Sequence, residues 1–245
     1  MGLMKRDLIH FIYFLVYLSQ LWRIQRILFQ KNRITILLFH DLNPEKFDLT
    51  IKILKKYYTI IDYPTFDEIM TGRRKLEGFP LLITFDDGRI RNLDLIQSFT
   101  KADIKPLLFL STHKSRLDGV KFITSKDINT LATGFDIGAH THTHPQLNEL
   151  TQDQISEELQ RSKNILESSL NTTIKTIAYP YGIYNKDTLE VMKRKDFKYG
   201  FTVDPGYNTA NTHHHLFKRF DISDNPSKYE IHIKMSGIYA FLCRS

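Results

Sequence analysis

The sequence predicts an α/β domain built on a parallel, barrel-like sheet, and three observations carry that prediction. Short apolar, β-branched runs alternate with stretches of helical periodicity along most of the 245 residues, which is the pattern of repeated βα units. Several runs, such as ITILLF at 34–39 and PLLITF at 80–85, show no polar alternation, as expected of strands buried on both faces. Reactive side chains also recur where these runs end: His40, Asp86-Asp87, His140, the turn at 179–182 and Asp204. In a parallel β/α barrel the C-terminal strand ends share one face, so five separate segments would converge on one mouth.

In chain order, the first strand covers 34–39 and ends in His40-Asp41. Apolar spacing at Phe47, Ile51 and Leu54 predicts a helix over 46–57, followed by a short strand at 59–61 and a basic loop. The strand at 80–85 runs straight into Asp86-Asp87-Gly88. A helix at 92–101 and strands at 107–110 and 135–139 come next, the last ending at the histidine run GAHTHTHPQL. Thr151 opens a long amphipathic helix to Leu170, with Ile155, Leu159, Ile165 and Leu166 on one face. A strand at 174–178 leads into Tyr179-Pro180-Tyr181-Gly182. A helix at 186–194 and a strand at 200–203, ending at Asp204-Pro205-Gly206, complete the pattern.

The first 30 residues stand apart from residues 31–245. LIHFIYFLVYL at 8–18 is shorter than the roughly 20 residues that span a bilayer. Ser19 and Gln20 interrupt it, Arg23 and Arg26 follow, and no small-residue cleavage site comes after it. Aromatic and basic residues together favour an amphipathic helix lying in a membrane interface over a helix packed on the domain or a transmembrane anchor. The expected location is membrane-associated, with the cytoplasmic face preferred over the extracytoplasmic one.

Bulk composition narrows the function classes. Hydrophobic residues at 42% and charged residues at 25% are a globular balance, not a disordered one. The net charge of +7 is spread over short groups such as Arg73-Arg74-Lys75 and Lys193-Arg194-Lys195. It forms no nucleic-acid stripe, so nucleic acid is not an expected partner. The single cysteine, Cys243, excludes an intramolecular disulfide and any CxxC motif.

The polar strand ends carry the chemistry. Adjacent carboxylates at a strand end point different ways, so one of Asp86 and Asp87 can bind a metal while the other acts as a base. Gly88 permits a sharp turn beside them. His140, His142 and His144 would share one face of an extended strand, giving a three-histidine site. Alternatively, His140 and His144 alone would meet across a turn, and spacing leaves both arrangements open. Two histidines and a carboxylate suit a catalytic divalent ion with open positions, which acidifies water and polarises a carbonyl. The rigid turn at 179–182 offers backbone N–H groups to a developing oxyanion. Assembled, these parts read as metal-assisted hydrolysis of an amide or ester.

TFDDG at 84–88, HTHTH at 140–144 and YPYG at 179–182, in that order, resemble the three main motifs of the polysaccharide deacetylases of carbohydrate esterase family 4. The resemblance spans about residues 34–223. It implies a distorted (β/α) barrel with fewer than eight complete units, and removal of N- or O-acetyl groups, commonly from N-acetylglucosamine. Carried over residue by residue, it makes Asp86 the general base and Asp87, His140 and His144 the metal ligands, with His142 at a variable position. Zinc is the first choice of ion, with cobalt, nickel or iron as alternatives. Thr141 would brace the loop, and the Tyr181 backbone N–H would help hold the oxyanion. Tyr179, Pro180, Gly182, Thr141, His40 and Tyr207 are the expected substrate-side residues.

Two departures stand out. The family's third motif usually has Arg two residues before the proline, where this chain has Ala178; that variant resembles the deacetylases of poly-β-1,6-N-acetylglucosamine and related surface glycans. Asp204-Pro-Gly-Tyr207 resembles the fourth motif, with Tyr replacing Trp and Asp204 in a supporting role. The histidine of the fifth motif, the general acid, is assigned to His215 in THHHLFKRFDIS, with His40 as the alternative lining the mouth. The expected substrate is a cell-surface or lipid-linked glycan. A deformylase of a lipid-linked amino sugar and a silent glycan-binding relative are the competing readings.

Overall fold

Parallel pairing throughout, with no antiparallel strand pair in the main sheet, organises the computed structural model, which describes residues 2–113 and 123–239. Cys243 and the side chains of Lys5 and Arg6 lie outside what is described. The strands are β1 (Thr35–Phe39), β2 (Thr59–Ile61), β3 (Pro80–Phe85), β4 (Leu107–Leu110), β5 (Asp136–Ala139), β6 (Thr176–Ala178), β7 (Tyr199–Phe201) and β8 (Phe220–Asp221). They run in the order β7-β6-β5-β4-β3-β1-β8, with β2 also on β3. β1 pairs along β3 from Thr35↔Leu81 to Phe39↔Phe85. The other edge of β3 is shared in succession, first by β2 (Thr59↔Pro80) and then by β4 (Thr84↔Leu107). This shared edge is one reason that the barrel is irregular.

The second irregularity is the seam between β7 and β8. There the sheet closes through the residues leading into β8. Phe217 bridges Phe201, the Thr202 N–H donates to the Phe217 carbonyl, and the Arg219 N–H donates to the Asp204 carbonyl. The architecture is thus a distorted (β/α) barrel rather than a regular eightfold one.

Helices cover the outside: α1 (Gly2–Leu18), α2 (Leu21–Gln30), α3 (Pro44–Leu54), α4 (Tyr63–Met70), α5 (Ile96–Ala102), α6 (Ile128–Gly134), α7 (Gln152–Leu170), α8 (Lys186–Arg194) and α9 (Lys228–Met235). Strand alternation divides the core. Leu37, Phe39, Ile83, Phe85 and Leu108 face the helices, whereas Ile36, Leu82, Leu107, Phe109 and Phe201 pack in a second cluster with Phe66, Ile69 and Met70 of α4. The segment read from sequence as a basic loop therefore contains α4. Its start is local: the Asp62 side chain caps the Thr65 N–H at 2.9 Å, and Pro64 sits in the first turn.

The N-terminal region is two helices, not one. Gln20, with left-handed backbone (φ 59), breaks the chain between them. One face is docked: Trp22 is buried, Gln30 donates to Thr35 Oγ1 (3.0 Å) and the Met235 carbonyl (2.7 Å), and Tyr17 packs edge-on against Tyr229 and His232 of α9. The other face is apolar and bare. Leu8, Phe11, Ile12, Leu15 and Leu18 on α1 continue into Leu21, Ile24, Ile27 and Leu28 on α2, each between 41% and 68% exposed. No helix among the described residues is long and apolar enough to cross a membrane.

Candidate active site and metal centre

Because the strands are parallel, their C-terminal ends lie together, and the cleft there is about 460 Å³. Six of the expected residues meet in it: His40, Asp86, Asp87, His140, His144 and Tyr181, with Leu38, Arg89, Val203 and Asp221 completing the walls.

The β3 end supplies both carboxylates. Thr84 and Asp86 share the inward face, opposite Phe85. Simple alternation would turn Asp87 outward, but its backbone is left-handed (φ 78), and so is that of Gly88 (φ 78), so Asp87 points back into the mouth. The φ of Gly88 strains any side chain there, and a Cβ would also push on Leu110 Cδ2 at 2.2 Å, so this tight turn favours glycine.

Asp87 Oδ1 lies 3.3 Å from His144 Nε2 and 3.6 Å from His140 Nε2, and the two Nε2 atoms are 3.1 Å apart. Ligands about 2.0–2.2 Å from a tetrahedral ion sit roughly 3.3–3.6 Å from one another; the two Asp87–histidine separations fall in that range and the histidine pair is slightly tighter, a spacing that suits a single ion. The donor set agrees with the spacing. His140 is buried and places Nδ1 2.8 Å from the Ala178 carbonyl; Nδ1–H donation there leaves the Nε2 lone pair facing Asp87. His142 turns away: its Nδ1 meets Thr112 Oγ1 at 2.9 Å and its ring stacks on His113. Of the three alternate histidines, the geometry gathers only the outer two.

Asp86 is held by a residue the sequence reading did not single out. Arg219, with no exposed surface, donates to both Asp86 oxygens at 2.7 Å, to Thr84 Oγ1 at 3.2 Å and, through Nε, to the Thr202 carbonyl at 2.8 Å. Burial by itself would raise the Asp86 pKa. The Arg219 guanidinium, with His140 and His40, more than offsets it and keeps the carboxyl below its ordinary range. Ala178 lacks the arginine side chain usual at its position, and Arg219 brings a guanidinium to Asp86 from the residues leading into β8. Its signal was the Lys218-Arg219 pair set between Phe217 and Phe220, with only the second residue buried.

The remaining expected residues are placed as follows. Tyr181 is 58% exposed with left-handed backbone (φ 57), and its ring meets His144 edge-on at 4.7 Å. Thr141 is buried and accepts the His144 N–H at 3.1 Å, so it braces the loop instead of lining the cleft. Pro180 is buried, and a Cβ on Gly182 would come within 2.8 Å of the Val203 backbone nitrogen, so these two shape the turn. Asp204 contributes its carbonyl to the Arg219 N–H.

Three expectations need correction. Tyr179 points inward, its hydroxyl donating to the His215 carbonyl at 2.9 Å, because a large side chain directly after β6 fills core space. Tyr207 packs on Phe220 and donates to the Ser236 carbonyl at 2.7 Å, remote from the ligands. His215 places Nε2 3.0 Å from the Phe197 carbonyl, just before β7 and therefore at the opposite end of the sheet from the cleft. Burial there favours its neutral form. The imidazole that does line the cleft besides those of the cluster is His40, its Nδ1 3.9 Å from Asp221 Oδ1.

The profile of the family described as Polysaccharide deacetylase matches residues 73–200, just over half of the chain. The chain belongs to the polysaccharide deacetylase family. Among curated proteins it is similar to a poly-beta-1,6-N-acetyl-D-glucosamine N-deacetylase of Staphylococcus aureus (strain MSSA476), 28% identical over 193 residues, covering 79% of this chain and 56% of the relative. The chain thus spans just over half the length of that relative. Among solved structures, the deacetylase PplD of Streptococcus pyogenes in complex with acetate superposes with a TM-score of 0.72 at 24% identity, covering 83% of this chain and 98% of that one. IcaB from Ammonifex degensii gives 0.73 at 20% identity, covering 85% and 99%. These two share the fold of this polysaccharide deacetylase family member.

Chelator competition with zinc checks the ligand geometry. His144→Ala is expected to weaken zinc binding at least about 100-fold, whereas His142→Ala is expected to bind as the native chain does. Equal losses in both variants would contradict the two-histidine site.

Proposed function

We propose that this chain is a metal-dependent deacetylase that removes N-acetyl groups from a polysaccharide containing N-acetylglucosamine, working at a membrane surface. The observation that carries the reading is the meeting, in one cleft, of the Asp87–His140–His144 cluster with a second carboxylate held ionised by a buried arginine. The name of the staphylococcal relatives supports the choice of substrate.

A divalent ion at Asp87, His140 and His144, zinc being the first choice for this donor set, would acidify water and polarise the acyl carbonyl. Asp86 accepts the proton of the attacking water. Both its oxygens already accept from Arg219, yet a carboxylate has about four lone-pair sites, so acceptor capacity remains. The Tyr181 backbone N–H faces the oxygen that becomes negative in the tetrahedral state. His40, across the cleft, gives a proton to the leaving nitrogen as the C–N bond breaks. Acetate and a glucosamine unit result, and the proton taken by Asp86 balances the one given by His40.

The membrane part of the proposal rests on the bare face of α1 and α2. Nine apolar side chains line it, and no Asp or Glu occurs between Leu8 and His40, whereas Arg23, Lys31 and Arg33 are exposed. That combination favours an anionic lipid surface with the helices lying in its plane.

Acetate release from β-1,6-linked N-acetylglucosamine oligomers in the presence of zinc, cobalt or nickel tests the chemistry. Asp86→Asn is expected to lose about 10²–10⁴-fold in kcat while still binding metal. Formate release instead of acetate would indicate a deformylase, and a metal-loaded native chain that releases neither would indicate a silent glycan-binding protein. Co-sedimentation with vesicles containing about one-third phosphatidylglycerol tests the surface: Leu15→Glu with Ile24→Glu is expected to leave the protein in the supernatant. Unchanged partitioning of that double variant would contradict the membrane reading.

A further inference from the structure

Between its two histidine ligands the chain bends twice. Thr141 and His144 both take left-handed backbone, φ 64 and 63, a conformation that residues with a Cβ rarely adopt. Five residues bent in this way form no regular ladder of their own, yet they must bring two Nε2 atoms to 3.1 Å. The restraint comes from both flanks. On one side, the residues after β4 hold the carbonyls: Ser111 Oγ donates to His140 (2.8 Å), Thr112 N–H to Thr141 (3.3 Å) and His113 N–H to His142 (2.8 Å).

The N–H groups turn to the other side, where one side chain takes them. Glu158 Oε2 accepts from the backbone of His142 at 2.9 Å and of Thr143 at 2.8 Å, while its Oε1 accepts the Thr143 hydroxyl at 2.7 Å. Glu158 stands on α7 beside Leu159, and Ile155 and Leu159 are fully buried, so the carboxylate is carried on a helix keyed into the core. Its neighbour Glu157 faces solvent and pairs with Arg161 instead.

We infer that Glu158 is a positioning residue for the metal centre: by clamping the backbone at 142–143 it sets where His144 meets His140. Its hydrogen bonds go to residues 142 and 143, between the two histidines of the cluster, and it is not among the residues that line the cleft. The inference rests on the metal-site reading, and metal binding itself, measured on the full chain, is the readout. Zinc affinity by calorimetry and the visible spectrum of the cobalt(II) form would be compared for the native chain, Glu158→Ala, Glu158→Gln, Thr143→Ala and the control Glu157→Gln. Glu158→Ala is expected to lose roughly 10- to 100-fold in zinc affinity, with altered cobalt bands. Glu158→Gln and Thr143→Ala should fall in between, and Glu157→Gln should match the native chain. Native affinity and spectrum in Glu158→Ala would overturn the inference. Where that variant does not fold, Thr143→Ala, which removes one contact from an exposed hydroxyl, carries the test, and native behaviour there overturns it equally. A native chain that binds neither zinc nor cobalt would overturn the metal site and this inference together, which separates that failure from a failure of the clamp alone.

Discussion

Arg219 and Asp86 meet with two 2.7 Å hydrogen bonds where the guanidinium has no exposed surface and the carboxylate opens only slightly onto the cleft. A buried ion pair of this kind persists only when its geometry is good and its remaining donors are satisfied. Here Nε is taken by the Thr202 carbonyl, a further N–H by Thr84, and the guanidinium lies 5.5 Å from the centroid of the Phe109 ring. The partners come from β3, β4 and the segment after β7, and Arg219 itself sits in the seam where the sheet closes. The interactions that close the barrel therefore also place Asp86. The same arrangement accounts for Ala178: with the guanidinium arriving from elsewhere, this position needs only its carbonyl, which orients His140.

The Asp87–His140–His144 cluster is built on a different principle. Its residues follow strand ends, where the backbone turns left-handed at Asp87, Thr141 and His144, as it also does at Tyr181 across the cleft mouth. Each such residue costs about 1–2 kcal/mol relative to ordinary backbone. The surroundings impose these bends through Gly88, through the carbonyl clamps after β4 and through Glu158. Rigid strands bring the segments together, and strained turns then aim the side chains. The amphipathic helix pair α1 and α2 is separate from both, anchored by Trp22 and Gln30 and leaving its apolar side outward.

Much of this was legible in the sequence, for physical reasons that differ between elements. β1 and β3 are continuous apolar runs because both their faces are buried, and the reactive residues follow them directly. α4, α6, β8 and α9 escaped notice because they are short, and a two-residue strand has no periodicity. Arg219 escaped because its partner lies 133 residues earlier in the chain, a distance that no local pattern expresses. His215 misled for the converse reason: a run of three histidines suggests chemistry, but the sheet direction carries this one to the far end. His142 shows the limit of spacing, since only the two left-handed bends decide which histidines converge.

A double-mutant cycle on the buried pair addresses the organising role of Arg219 most directly. Urea unfolding at neutral pH would be measured for the native chain, Asp86→Asn, Arg219→Met and the double variant. Loss of Arg219 alone is expected to cost about 3–5 kcal/mol, because it strands a buried carboxylate. The double variant should be less destabilised than the sum of the singles by about 2 kcal/mol or more. Additivity within about 0.5 kcal/mol would mean that the two side chains are independent, and the seam would then owe its closure to something else.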